Sequence, residues 1–144
     1  MNVSAAGRAL IREHEGCELI AYTCPAGVLT VGVGHTGPDV VKGLTITEER
    51  ADELLAQDLD AAEQCVSRSV EVELTQEQFD ALCSFVFNVG CGAFQRSTLL
   101  RMLNDGDYDG ARKQFFRWNN SGAKELAGLT RRRADEAEMF SGIA

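Results

Sequence analysis

One change of hydrophobic period constrains this chain more than any other feature. Residues 18–36, "ELIAYTCPAGVLTVGVGHT", are rich in β-branched and aromatic residues and are split by "CPAG", a Pro–Gly turn signal. Gly32 and Gly34 alternate with Val31 and Val33, which predicts a strand with one bare face that a ligand can approach. From Thr47 onward the apolar residues recur with helical spacing. Ala51, Leu54, Leu55, Leu59, Ala62 and Val66 fall on one stripe, which predicts a long helix over about 47–66. Thr75 and Gln78 make a capping-box pair that opens "QEQFDALCSFVFNVG", the most apolar helix and the expected centre of the core. Shorter helices are expected over about 97–105, 108–118 and 130–141. A short strand segment followed by helices is α+β: a small lobe over about 13–46, a long connecting helix, and a mainly helical lobe over about 75–141 that includes the N-terminal helix. A cleft between two such lobes suits a polymer substrate.

The 144 residues fit one domain. Ser4 is an N-cap candidate for a first helix that ends near Gly16 and turns Leu10, Ile11 and His14 toward a core. Glu15 then sits at the helix C-terminal end, an unfavourable place for a carboxylate anion and a suitable one for a proton donor. A net charge of −8 excludes a general electrostatic attraction to nucleic acid. Arg131, Arg132 and Arg133 are followed at once by Asp135, Glu136 and Glu138, and the run reads as a solvated, mixed-charge helix face. No stretch approaches the ~20 apolar residues that span a membrane. "MNVSAAGRAL" has neither a basic n-region nor an apolar h-region, so no signal peptide is read there; a trimmed leader or anchor is equally compatible.

The cysteines number five: Cys17, Cys24, Cys65, Cys83 and Cys91. There is no C-x-x-C pair and the histidines lack ligand spacing, so neither a metal nor a cofactor is expected. So many thiols favour disulfides or a reactive cysteine, and hence an oxidising compartment.

The segment "EG…L.AY…PAGVLTVGVGHTG" resembles the active-site stretch of the phage-type lysozymes, glycoside hydrolase family 24. The similarity continues through "LTQEQFDALCSFVFNVGCGAF", "STLLRMLNDGDYDGA", "FFRW" and "GLTRRRADEAEMF", so it covers nearly the whole chain in order. It implies a lysozyme-like fold and a monomeric muramidase that cuts the β-1,4 bond between N-acetylmuramic acid and N-acetylglucosamine in peptidoglycan. It further implies action at the periplasm or cell wall, after release from a phage host's cytoplasm or as a trimmed secreted form. By the same resemblance Glu15 is the general acid and Thr30 positions the attacking water. Cys24 fills the place of the family's aspartate, as in some signal-anchored endolysins that also carry a cysteine matching Cys17. In those relatives the catalytic cysteine is masked in a disulfide until release.

A thiol near its ordinary pKa of ~8.5 is a poor base, but a thiolate accepts a proton from water. Water activation gives inversion, and a covalent Cys24 intermediate would give retention. Cys17 and Cys24 flank the strand and can bridge only if the chain turns back there, which makes the bridge a candidate off-state. Cys83 reads as a core thiol and Cys65 with Cys91 as a candidate structural pair. His35 reads as a hydrogen-bonded structural histidine and Trp118 as core. By resemblance, Asn88 contacts sugar and Arg132 or Arg133 approaches the glutamate, opposing the helix-end effect; Gly34, on the expected bare strand face, is a further substrate-binding candidate. Two alternatives stand beside a phage endolysin: a periplasmic muramidase for local wall remodelling, and a peptidoglycan-binding domain whose catalysis lapsed with the aspartate.

Overall fold

A computed structural model describes residues 1–121, 124–125 and 127–142. The chain opens with helix α1 (Ala5–Glu15), started by Ser4, whose hydroxyl oxygen accepts from the Gly7 amide at 3.3 Å. The Ser4 amide and hydroxyl both donate to Asp80, which pins the start of α1 to the central helix α4 (Gln76–Val89). Ile11 is wholly buried and Leu10 only half so. Gly16 ends α1 with a φ of 81°, a left-handed conformation that favours glycine, and sends the chain into strand β1 (Glu18–Thr23).

Strand β1 pairs antiparallel with β2 (Leu29–Gly32), and the turn between them is closed by the Cys24 amide on the Val28 carbonyl at 2.9 Å. The register is irregular between Glu18 and Tyr22, which bends β1. Its middle is held instead from the other side, where the Ala21 amide bonds to Leu44 and the Ile46 amide to Leu19. The expected bare strand face at Gly32 and Gly34 is not formed. Both glycines take positive φ, 65° and 73°, and the chain reverses so that Val31 and His35 exchange backbone bonds at 2.9 Å. Their alternation serves a tight turn, and no exposed glycine face results.

The long amphipathic stripe is present but is carried by two helices, α2 (Glu48–Asp58) and α3 (Asp60–Ser69), which meet at Leu59. The flanking aspartates Asp58 and Asp60 are weak helix formers, and Asp58 is committed to His35 rather than to the helix face. Leu59 is nonetheless fully buried, so the break keeps the apolar stripe in phase.

Thr75 and Gln78 form the capping box that opens α4, and Phe79, Leu82, Cys83 and Phe85 on it are buried. Around it stand α5 (Cys91–Gln95), α6 (Thr98–Asn104), α7 (Tyr108–Gln114) and a 3-10 turn (Phe115–Arg117). A short hairpin, β3 (Asn120–Ser121) with β4 (Lys124–Glu125), precedes α8 (Ala127–Phe140). A disulfide joins Cys65 to Cys91, with Cα atoms 5.9 Å apart, and ties α3 to α5. Two apolar cores result. A small one joins Val31 and Val40 to Leu54 of α2; a larger one fills the helical lobe around α4. Trp118 lies half-buried against the larger one, edge-on to Phe85 at 5.4 Å.

Candidate active site

Glu15 is the last residue of α1, and its carboxylate meets Arg132 of α8, Nη1 to Oε2 at 3.0 Å. The Glu15 side chain is 28% exposed and that of Arg132 only 4%, so the acid faces solvent while its partner stays inside. A depression of about 500 Å³ opens beside the pair, with Glu13, His14, Asn88, Arg131 and Asp135 around it. His14 and Asp135 close one side of it through a 2.8 Å contact, Nε2 to Oδ2. The structure thus brings Glu15, Asn88 and Arg132 to one depression; Cys24, Thr30 and Gly34 lie outside its lining.

Cys24 and Thr30 share the β1–β2 hairpin, one at the turn and one on β2 opposite Tyr22. Cys24 is a free, half-buried thiol. Backbone amides of Val28 and then Ala26 draw the pKa of its thiol below the ordinary value. Thr30 is buried and gives its own hydroxyl proton to the Val28 carbonyl at 3.0 Å. Its oxygen lone pairs remain available to accept from a water. The hairpin tip therefore places a thiol of lowered pKa on the same hairpin as the Thr30 hydroxyl.

Cys17 is also free, but burial raises its pKa, partly opposed by Arg12. It packs against the larger core at the far end of β1 from Cys24. Cys83 is buried in α4, and desolvation pushes its thiol far up. His35 bonds through Nδ1 to Asp58 at 2.8 Å and through Nε2 to Asp39 at 3.0 Å, a structural placement that ties the end of β2 to α2.

The arginine-rich run of α8 departs furthest from expectation. The solvated mixed-charge face predicted there is formed only in part: Arg131 and Glu138 are exposed, but Arg132, Arg133 and Glu136 are buried. Arg133 donates to Glu136 Oε1 at 2.5 Å, to the Trp118 carbonyl at 2.8 Å and to Asn88, and its guanidinium lies 5.0 Å from the Phe85 ring centroid. Burial pulls the Arg133 pKa down, against Glu136, which raises it. Asn88, expected to touch sugar, spends its carbonyl oxygen on Arg133 while still lining the depression. Spacing held a signal for this burial. Leu129, Arg132, Arg133, Glu136, Ala137 and Phe140 share one helical stripe, and the apolar members mark it as inward.

The phage lysozyme family model matches residues 12–136. The endolysin of Acyrthosiphon pisum secondary endosymbiont phage 1 is 42% identical over 97% of this chain and 98% of its own length. The endolysin of Salmonella phage P22 is 42% identical over 98% of this chain and 99% of its own length. A crystal structure of a P22 lysozyme point mutant matches with a TM-score of 0.94 at 41% identity, over 98% of this chain and 99% of that one. By sequence and by backbone, the chain belongs to the phage lysozyme family.

Proposed function

We propose that this protein is a peptidoglycan muramidase of the endolysin type, hydrolysing the β-1,4 bond between N-acetylmuramic acid and N-acetylglucosamine. Glu15 gives its proton to the leaving glycosidic oxygen. Cys24, as thiolate, takes one proton from water while Thr30 accepts a hydrogen bond from the hydrogen that stays on the oxygen and steers that oxygen onto C1 from the opposite face, which inverts the anomeric centre. The observation that carries the role of Cys24 is the pair of backbone amides that favours its thiolate. The protein works at the cell wall and needs no cofactor for these steps.

The two endolysin relatives named above, each 42% identical, favour lysis over local wall remodelling or a lapsed binding domain. The proposal includes a redox brake. Exchange of Cys24 thiolate with a disulfide oxidant and then with Cys17 would bridge the two and consume the reactive thiol. Because β1 separates them, the bridge requires β1 to leave its partners.

The test is clearing of purified peptidoglycan by wild type, Glu15→Gln and Cys24→Ser, each with and without reductant. Glu15→Gln is expected to lower the rate by about 10²–10⁴-fold. Cys24→Ser should remove the dependence on reductant as well as most of the rate. Wild-type protein that pellets with the polymer yet clears nothing in either redox state would overturn the enzymatic reading.

A further inference from the structure

Arg133 is buried, and every nitrogen of its guanidinium has a protein acceptor. Nε donates to the Trp118 carbonyl at 2.8 Å, Nη1 to Glu136 at 2.5 Å, and Nη2 to the Asn88 side-chain oxygen. The guanidinium carbon stands over the Phe85 ring, 5.0 Å from its centroid. So held, the group cannot swing. A guanidinium has donors and no acceptor, so the edge of Asn88 that meets it must be the carbonyl oxygen. Turning the amide over would set N–H against N–H and leave a guanidinium donor without a partner. The Asn88 oxygen is thus spent inward, and its NH2 is left for the depression that Asn88 lines beside Glu15. Asn88 is exposed, and among the described residues no protein acceptor meets that NH2.

We propose that Asn88, turned by Arg133, is a one-way donor that binds an amide carbonyl oxygen of the substrate rather than a sugar hydroxyl. The inference deepens the muramidase reading and rests on it. Sugar hydroxyls both donate and accept, so either edge of an amide satisfies them. A carbonyl oxygen only accepts, and once it sheds its water it needs a donor in return. The depression supplies few. Its carboxylates, Glu13, Glu15 and Asp135, accept when ionised, and Arg132 is spent on Glu15, Ser84 and Glu136. A neutral His14 gives its one N–H to Asp135. Among the uncharged side chains that line the depression, that leaves Asn88 with a donor to spare. Both sugars of the proposed substrate carry an N-acetyl carbonyl, and the stem peptide adds further amide carbonyls.

The test measures dissociation constants of the full chain on immobilised peptidoglycan, always in the Glu15→Gln form so that the polymer is not cut. Into this form Asn88→Asp is introduced. The change is isosteric: one oxygen still accepts from Arg133, and the other puts an acceptor where the NH2 was. Thermal unfolding checks that the fold is kept. Binding should weaken about ten-fold or more, because a carbonyl of the substrate then faces a carboxylate. A hydroxyl partner would donate to the new carboxylate and keep the affinity, and an Asn88 that merely holds Arg133 would keep it as well. Unchanged or tighter binding by Asn88→Asp therefore overturns the inference. The measurement is repeated at ~1 M sodium chloride, where charges act over only ~3 Å. A loss that persists there belongs to the contact, whereas a loss that vanishes is repulsion from the anionic polymer and overturns the inference too. A second surface, peptidoglycan stripped of stem peptides by an amidase, identifies the carbonyl. An equal loss on it assigns the N-acetyl group, and a loss confined to the intact polymer assigns the stem peptide. Failure of the underlying reading looks different: the protein that retains Asn88 would then bind neither surface.

Discussion

Cys24 and Cys83 show how far backbone placement separates chemically identical side chains. Two amides at a hairpin tip draw the Cys24 pKa down, whereas enclosure in α4 drives that of Cys83 far up. Cys17 stands between them, raised by burial. Alkylation with iodoacetamide near neutral pH should therefore modify Cys24 first and Cys17 more slowly, and leave Cys83 untouched until the protein unfolds. Peptide mapping by mass spectrometry reads the order, and equal rates at Cys17 and Cys24 would refute the amide effect. His35 makes a second prediction at this scale. Burial opposes its charged form, but hydrogen bonds with Asp58 and Asp39 outweigh burial and leave its pKa above 6.5. A raised histidine contributes stability that is complete below the unfolded value near ~6.5 and is lost as pH rises through the folded value. His35→Asn should cost about 1.5–3 kcal/mol at pH 5 and clearly less at pH 9, measured by urea unfolding at both.

At the scale of elements, the disulfide carries the clearest expectation. Cys65 and Cys91 close a span of 26 residues between α3 and α5. Loop-closure entropy for that length is worth roughly 3–4 kcal/mol in the chain-entropy model. Replacing both cysteines with alanine should lower stability by about 2–4 kcal/mol and leave peptidoglycan clearing intact at temperatures where the protein stays folded. Loss of clearing without loss of fold would place the bridge in the site. Capping and helical period were legible in the sequence because they are local: Ser4, Thr75 and the α4 stripe all sit where expected. The Leu59 break was not, since it turns on Asp58 being drawn to a histidine far away in sequence. Gly32 and Gly34 misled because alternation with valine has two physical causes, a bare strand face and a positive-φ turn, and only the backbone bond between Val31 and His35 distinguishes them. The α8 run misled for a related reason. Charges three and four apart stabilise an exposed helix, and here the same spacing satisfies a buried network instead.

For the whole molecule, the two cores divide the labour of the site. The sheet lobe has its own small core on α2 and carries Cys24 and Thr30, while the helical lobe carries Arg132 and the network behind Glu15. Glu15 ends α1, and β1 leads directly from it toward Cys24, so the proposed acid and base belong to different lobes joined by a short segment and by α2 and α3. Both must reach an anionic polymer on a chain whose net charge is −8. Peptidoglycan carries free carboxylates on its stem peptides, so like charges meet at every encounter. Added salt shortens the reach of that repulsion from ~30 Å at 0.01 M to ~10 Å at 0.1 M. The clearing rate should therefore climb as sodium chloride is raised over that range. The gain should appear in the concentration dependence on polymer and leave the maximal rate unchanged, because encounter is what the repulsion slows. Proteins that find anionic polymers through a basic face behave in the opposite way and lose rate with salt. A falling rate here would mean that Arg131, the exposed arginine at the depression, governs approach more than the net charge does. Arg131→Gln would then flatten the salt dependence, whereas under net-charge control it leaves the slope as it is in the wild type.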